Sequence, residues 1–122
     1  MGKILIAEDQ LGVRTLLVEI FQDDEHVVKT AENGEEALRL FIDFEPELIV
    51  LDMKMPVMNG LEALRKIRLL DSQVAVIMMT AYVDIVTLAT EKDLGILYYM
   101  SKPFDLFELR ERVREIFLEI AS

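Results

Sequence analysis

The 122-residue chain contains no cysteine, which excludes disulfides and thiolate metal sites and leaves nothing that points to an oxidising compartment. Basic charge is also scarce: 13 Lys and Arg stand against 23 Asp and Glu, a formal charge of −10. That balance opposes nonspecific attraction to phosphate backbones and anionic surfaces, so neither nucleic acid nor a membrane is an expected partner. No apolar stretch approaches the roughly 18 residues of a membrane span. Met1-Gly2-Lys3 leads straight into a short strand and not into a signal peptide. A soluble, unprocessed, cytoplasmic and monomeric chain is the expectation. Linkers, repeats and low-complexity segments are absent. The length suits one domain, residues 1–122, with no effector domain attached.

Five strand-like segments are present: Lys3 to Ala7, His26 to Thr30, Leu48 to Leu51, Val74 to Met79 and Ile96 to Met100. Runs without polar alternation suit strands buried on both faces of a parallel sheet. Between them the periodicity is helical, clearest for Val13, Leu16, Leu17, Ile20 and Phe21 and for Leu109, Val113, Ile116, Phe117 and Ile120. Asn33-Gly34 and Asn59-Gly60 mark turns into helices. The segment from Val83 to Asp93 is rich in β-branched residues and poor in apolar stripe, so its helix is the least secure and a candidate moving part. Alternating strands and helices predict an α/β fold: a doubly wound, five-stranded parallel sheet in the flavodoxin-like order 2-1-3-4-5 with five flanking helices.

In such a sheet the carboxyl ends of the strands face the ligand-binding crevice. Glu8-Asp9 ends the first run and Asp52 the third; Thr80 ends the fourth and Lys102 closes the fifth just before Pro103. Taken singly, each has a bland reading: solvated helix-start acids, a turn cap, a β-branched strand residue, a surface charge. Independent bland causes rarely place all five at one edge. Three clustered carboxylates repel one another unless one is protonated or a cation neutralises them, and a hard divalent metal is the expected resident. With a hydroxyl and an ammonium alongside, these are the parts of a phosphoryl-transfer site, in which Asp52 is the natural nucleophile.

Four segments, Glu8-Asp9, Leu51-Asp52-Met53-Lys54-Met55-Pro56-Val57-Met58-Asn59-Gly60, Met79-Thr80-Ala81-Tyr82 and Lys102-Pro103-Phe104, together resemble the response-regulator receiver family of two-component signalling. The resemblance covers essentially the whole chain. It implies that Asp52 accepts a phosphoryl group from the phosphohistidine of a sensor histidine kinase. It also implies Mg²⁺, or Mn²⁺, bound by Asp9, Asp52 and the Lys54 carbonyl with Glu8 assisting through water. Thr80, Lys102 and the amides of Met53 and Ala81 are the implied contacts of the phosphoryl group. The Lys102-Pro103 bond is expected to be cis, and Thr80 and Tyr99 to form a switch read out on the face of the fourth helix, fifth strand and fifth helix. Within receivers, Gln10-x-Gly12-x-Arg14-x-Leu16-Leu17, Lys54, Tyr82 and Lys102-Pro103-Phe104-Asp105 look most like the stand-alone sporulation phosphorelay type. That likeness implies a histidine phosphotransferase downstream, a possible aspartyl-phosphate phosphatase, and a docking rim of Gln10, Leu11, Gly12, Val13, Leu16, Lys54, Tyr82 and Phe104. Tyr99 departs from that type, where a histidine is expected. Such a protein catalyses its own phosphoryl transfer and a slow autodephosphorylation.

Three rivals share features of this pattern. A haloacid-dehalogenase phosphatase needs a second Asp two positions after the nucleophile, where this chain has Lys54. A flavodoxin-like nucleotide binder needs a glycine-rich turn after strand one, where Glu8-Asp9-Gln10-Leu11 stands instead. A chemotaxis-like receiver, or one cut from a DNA-binding regulator, would keep the same chemistry and act through phosphorylation-dependent protein binding.

Overall fold

The computed structural model describes residues 2–80 and 94–122. Five strands, β1 (Lys3–Ala7), β2 (Val27–Ala31), β3 (Leu48–Asp52), β4 (Ala75–Thr80) and β5 (Tyr98–Ser101), pair in parallel in the order β2-β1-β3-β4-β5. This is the predicted order. Helices α1 (Leu11–Asp23), α2 (Gly34–Phe44), α3 (Gly60–Leu70) and a last helix (Leu106–Ala121) flank the sheet among the described residues. The helix expected over residues 83–93 lies outside them.

The unbroken apolar runs have a direct physical explanation. In β1, β3 and β4 alternate residues point to opposite faces, and both faces are covered. Leu5, Ala7, Ile49, Leu51, Val76 and Met78 join one core with Ala37, Phe41, Leu64 and Ile67 of α2 and α3. Ile4, Ile6, Leu48, Val50, Ile77 and Met79 join a second with Leu17 and Phe21 of α1 and with Leu109, Val113 and Ile116 of the last helix. Edge strand β2 differs, alternating exposed and half-buried residues from Val27 to Thr30.

Four strands end one residue later than the segments read from the sequence, because the ladder continues into the residue that follows each. Asp52 thus pairs with Met79, and Thr80 with Ser101, as strand residues. The two Asn-Gly turns behave as expected. Asn33 Oδ1 accepts from the Glu36 amide at 2.8 Å and Asn59 Oδ1 from the Glu62 amide at 2.9 Å, each capping a helix. Gly60 is required by space: a Cβ there would run into the carbonyl oxygen of Asp52. Asp105 caps the last helix through the Phe107 amide at 2.8 Å. By contrast, Gln10, the residue that precedes α1, makes no side-chain capping bond.

The loop from Asp52 to Gly60 carries a local violation. The Met58 amide donates to the Pro56 carbonyl at 2.7 Å, closing a three-residue γ-turn around Val57, whose φ is 69°. A β-branched residue in the left-handed region is strained by about 1–2 kcal/mol. Val57 is 77% exposed, so its side chain recovers little of that by burial. Substituting Val57→Gly relieves the strain at the cost of about 0.5–1 kcal/mol in unfolded-chain entropy. A net gain of about 0.5–1 kcal/mol in urea denaturation is expected; a loss of stability would show that Val57 is not strained.

Candidate functional site

All the chemistry-bearing side chains named from the sequence that are described lie at the carboxyl edge of the sheet. Glu8 leaves the end of β1, its amide donating to the Ala31 carbonyl at 3.0 Å, and its carboxylate is fully buried. Asp52, the last residue of β3, is 3% exposed, whereas Asp9 is exposed. One carboxylate oxygen from each of Glu8, Asp9 and Asp52 lies within 4.8 Å of the others.

Lys102 closes the cluster from the loop after β5. Its Nζ donates to both Glu8 oxygens at 3.2 Å and to Asp52 Oδ2 at 3.1 Å. The Lys102 backbone amide donates to the Thr80 carbonyl at 3.0 Å, and the Lys102-Pro103 bond is cis, as expected from the resemblance. Thr80 is buried, and by strand alternation it shares a face of the sheet with Met78 and with the half-buried Tyr99.

The electrostatics follow from this crowding. Burial, then the hydrogen bond and negative charge of Asp52, push the Glu8 carboxyl up to about 8 against the opposing pull of Lys102. Burial pulls the Lys102 ammonium down, but the Asp52 hydrogen bond and the charges of Asp52 and Glu8 outweigh it and raise the net value. Burial also raises the Tyr99 phenol. An all-oxygen donor set of three carboxylates, one of them open to solvent, fits a hard divalent cation such as Mg²⁺ or Mn²⁺.

One implied contact needs correction. The Met53 amide donates to the Met79 carbonyl at 2.8 Å, extending the ladder, so it does not point into the site. The next amide, that of Lys54, faces Asp52 Oδ1 at 3.4 Å. Ala81 and Tyr82 lie outside the described residues. In the expected docking rim, Gln10, Leu11, Gly12, Leu16 and Lys54 are exposed and Phe104 is half-buried. Val13 packs against the second core. Sequence reading missed one residue here. Arg14 sat inside a quoted motif without a role, although a basic residue one helical turn past an acid pair can reach back to it.

The family description for the response regulator receiver domain matches residues 4–114. The sporulation initiation phosphotransferase F of Bacillus subtilis is 41% identical over 113 residues, covering 93% of this chain and 91% of that protein. The regulatory protein AtoC of Escherichia coli is 38% identical over 109 residues, 89% of this chain but 24% of AtoC. Among solved structures, response regulator TrrA of Thermotoga maritima, in complex with Mg²⁺ and BeF, superposes with a TM-score of 0.84 at 34% identity, covering 95% of this chain and 99% of that one. The N-terminal domain of a protein from Wolinella succinogenes superposes with a TM-score of 0.90 at 30% identity, covering 99% and 98%.

The raised Glu8 value sets a pH dependence for the metal-free protein. Between 4.5, the ordinary value, and about 8, folded Glu8 holds a proton that the unfolded chain has released. Its contribution to stability is therefore full below pH 4.5 and is lost as pH rises toward 8. Urea midpoints across that window are expected to fall for the wild type with chelator present, and to fall less for Glu8→Gln. Equal slopes in both proteins would reject the assignment.

Proposed function

The chain belongs to the response-regulator receiver family, and on that footing we propose that Asp52 accepts a phosphoryl group from a sensor histidine kinase and passes it on in a phosphorelay. The observation that carries the reading is Lys102 Nζ held between Asp52 and Glu8 at the carboxyl edge of the sheet. In the forward step an Asp52 carboxylate oxygen attacks the phosphorus of a phosphohistidine. The P–N bond breaks and its electron pair stays on the imidazole nitrogen, which takes up a proton. An aspartyl phosphate remains. This mixed anhydride is itself an activated donor, so a second histidine can take the phosphoryl group as the P–O bond to Asp52 breaks.

The site's own residues divide the work. Asp52 is held by the end of β3, and Lys102 moves its charge from the carboxylates to the new phosphoryl oxygens. The Thr80 hydroxyl and the Lys54 amide donate hydrogen bonds to those oxygens. Asp9, Asp52 and the Lys54 carbonyl, with Glu8 assisting through water, would hold a divalent cation that would supply neutralising charge. As Thr80 turns toward the phosphoryl group it vacates space on the face it shares with Tyr99, and Tyr99 turns inward to fill it.

Partner contact falls to the rim around Asp52: Gln10, Leu11, Gly12, Val13, Leu16, Lys54, Tyr82 and Phe104, with Val13 serving chiefly as core. The partners are a sensor histidine kinase, a histidine phosphotransferase or other acceptor, and an aspartyl-phosphate phosphatase. The name of the Bacillus subtilis relative supports the relay and its sporulation setting; the AtoC relative supports a receiver that acts by phosphorylation-dependent binding. Transfer from the phosphorylated chain to a histidine phosphotransferase separates the two.

Two outcomes are expected. Incubation with Mg²⁺ and acetyl phosphate should give one phosphoryl adduct by intact mass, absent from Asp52→Asn and in excess chelator. No adduct with any donor would refute Asp52 as acceptor. Lys54 is exposed at the mouth of the site, where its long side chain obstructs an attacking water. Lys54→Asn should therefore shorten the aspartyl-phosphate half-life by about threefold or more, a barrier change of about 0.7 kcal/mol; an unchanged decay rate would reject the shielding role.

A further inference from the structure

Arg14 is the residue that the proposed chemistry leaves unused although it reaches the site. It lies in the first turn of α1, and its side chain is only 12% exposed. Nη1 donates to the backbone carbonyl of Glu8 at 2.8 Å, and Nη2 to Glu32 Oε1 at 3.3 Å in the loop between β2 and α2. Glu32 is in turn held through its amide, which donates to Glu36 Oε1 at 2.9 Å in the first turn of α2.

These contacts answer a structural problem. Glu8 and Asp9 sit where the chain leaves β1 and has yet to enter α1, and Gln10, at the cap position of α1, makes no side-chain capping bond. Every other described helix except α1 has its first turn tied by an Asn or Asp side chain. At the Glu8–Gln10 turn the tie comes from inside the helix instead. With its amide on Ala31 and its carbonyl on Arg14, the Glu8 backbone is fixed on both sides. The direction of the Glu8 and Asp9 carboxylates is fixed with it.

We propose that Arg14 is a positioning residue for the acidic pair, orienting Glu8 and Asp9 for a divalent cation through the Glu8 carbonyl, with Glu32 holding the guanidinium in place. This rests on the metal-site reading above. The sign of the effect distinguishes positioning from simple charge. Removing a positive charge from the neighbourhood of the site strengthens Mg²⁺ binding if only long-range Coulomb repulsion between the two cations matters. Releasing the turn that orients two of the ligands weakens it, and outer contacts of this kind are worth about 10- to 100-fold in metal affinity.

The test is a Mg²⁺ titration followed through backbone amide shifts of residues 8, 9 and 52, on wild type, Arg14→Ala and Arg14→Lys. Arg14→Ala should weaken Mg²⁺ binding about 10-fold or more. Arg14→Lys keeps the charge but carries its donors on a single nitrogen that cannot span Glu8 and Glu32 as the guanidinium fork does, and should fall between wild type and Arg14→Ala. Phosphorylation of Arg14→Ala by acetyl phosphate should recover at saturating Mg²⁺, because the residue acts on binding and not on the reacting atoms. Unchanged or tighter Mg²⁺ binding in both variants would overturn the positioning role, whatever happens to their thermal stability. Wild-type protein that binds no Mg²⁺ would instead refute the metal-site reading, and the positioning role with it.

Discussion

Two carboxyl groups that are almost completely out of water sit side by side at the carboxyl edge of the sheet and share one ammonium, and Glu8 also keeps its proton up to about pH 8. Removing an ion from water costs several kcal/mol even after relaxation, so Glu8 and Asp52 are tolerable only with a partner or a proton. Lys102 is that partner, 94 positions from Glu8 and 50 from Asp52 in the chain. It gets there only when β1, β3 and β5 already lie in their final order. The ion cluster is therefore a product of the completed sheet and a poor candidate for its cause. What drives assembly is the two apolar cores that β1, β3 and β4 share, one on each face.

Parallel pairing then does the sorting. Because all five strands run the same way, each delivers its terminal residue to the same edge, and the opposite edge is left for turns and helix ends. Among the described residues, the three non-glycine positions with positive φ show the contrast. Glu45 terminates α2 as a left-handed cap, and Glu25 follows the end of α1, which is where such a conformation closes a helix. Val57 ends no helix; it lies in the loop between Asp52 and α3. The uncapped start of α1 is at that edge as well. Departures from local preference gather where the carboxylates are, as expected if the loops are held for chemistry and not for stability.

The fold was legible because its signals are those of bulk burial. Apolar runs without alternation, Asn-Gly caps and helical stripes each report a single physical demand, and the demands agree. The grouping of the candidate site residues was legible because ionisable residues ended apolar runs. Boundaries were less so: apolarity stops at Leu51 and Met79, but backbone pairing continues through Asp52 and Thr80, since a ladder needs amides and carbonyls, not greasy side chains. The same ladder explains why the Met53 amide is spent on Met79 and the Lys54 amide faces the site. Arg14 could not be ranked from sequence, because its role depends on a carbonyl and on a neighbouring loop that only the folded chain brings within reach.

Lys102 also connects the site to the rest of the molecule. Its ammonium holds Asp52 and Glu8 while its amide holds the Thr80 carbonyl, so the acidic cluster and the end of β4 share one residue. In the proposed reaction the ammonium gives up its carboxylate partners for a phosphoryl group, and the Thr80 hydroxyl turns the same way. Tyr99 lies on the Thr80 face and packs against the core that α2 and α3 share with the sheet. In the proposed switch, a change of one charge at the edge would pass through β4 and β5, which are joined by strand pairing and by the half-buried Tyr99 ring. A tightly packed core responds to such a change by moving between discrete arrangements and not by bending smoothly, which is the property a phosphorylation switch requires.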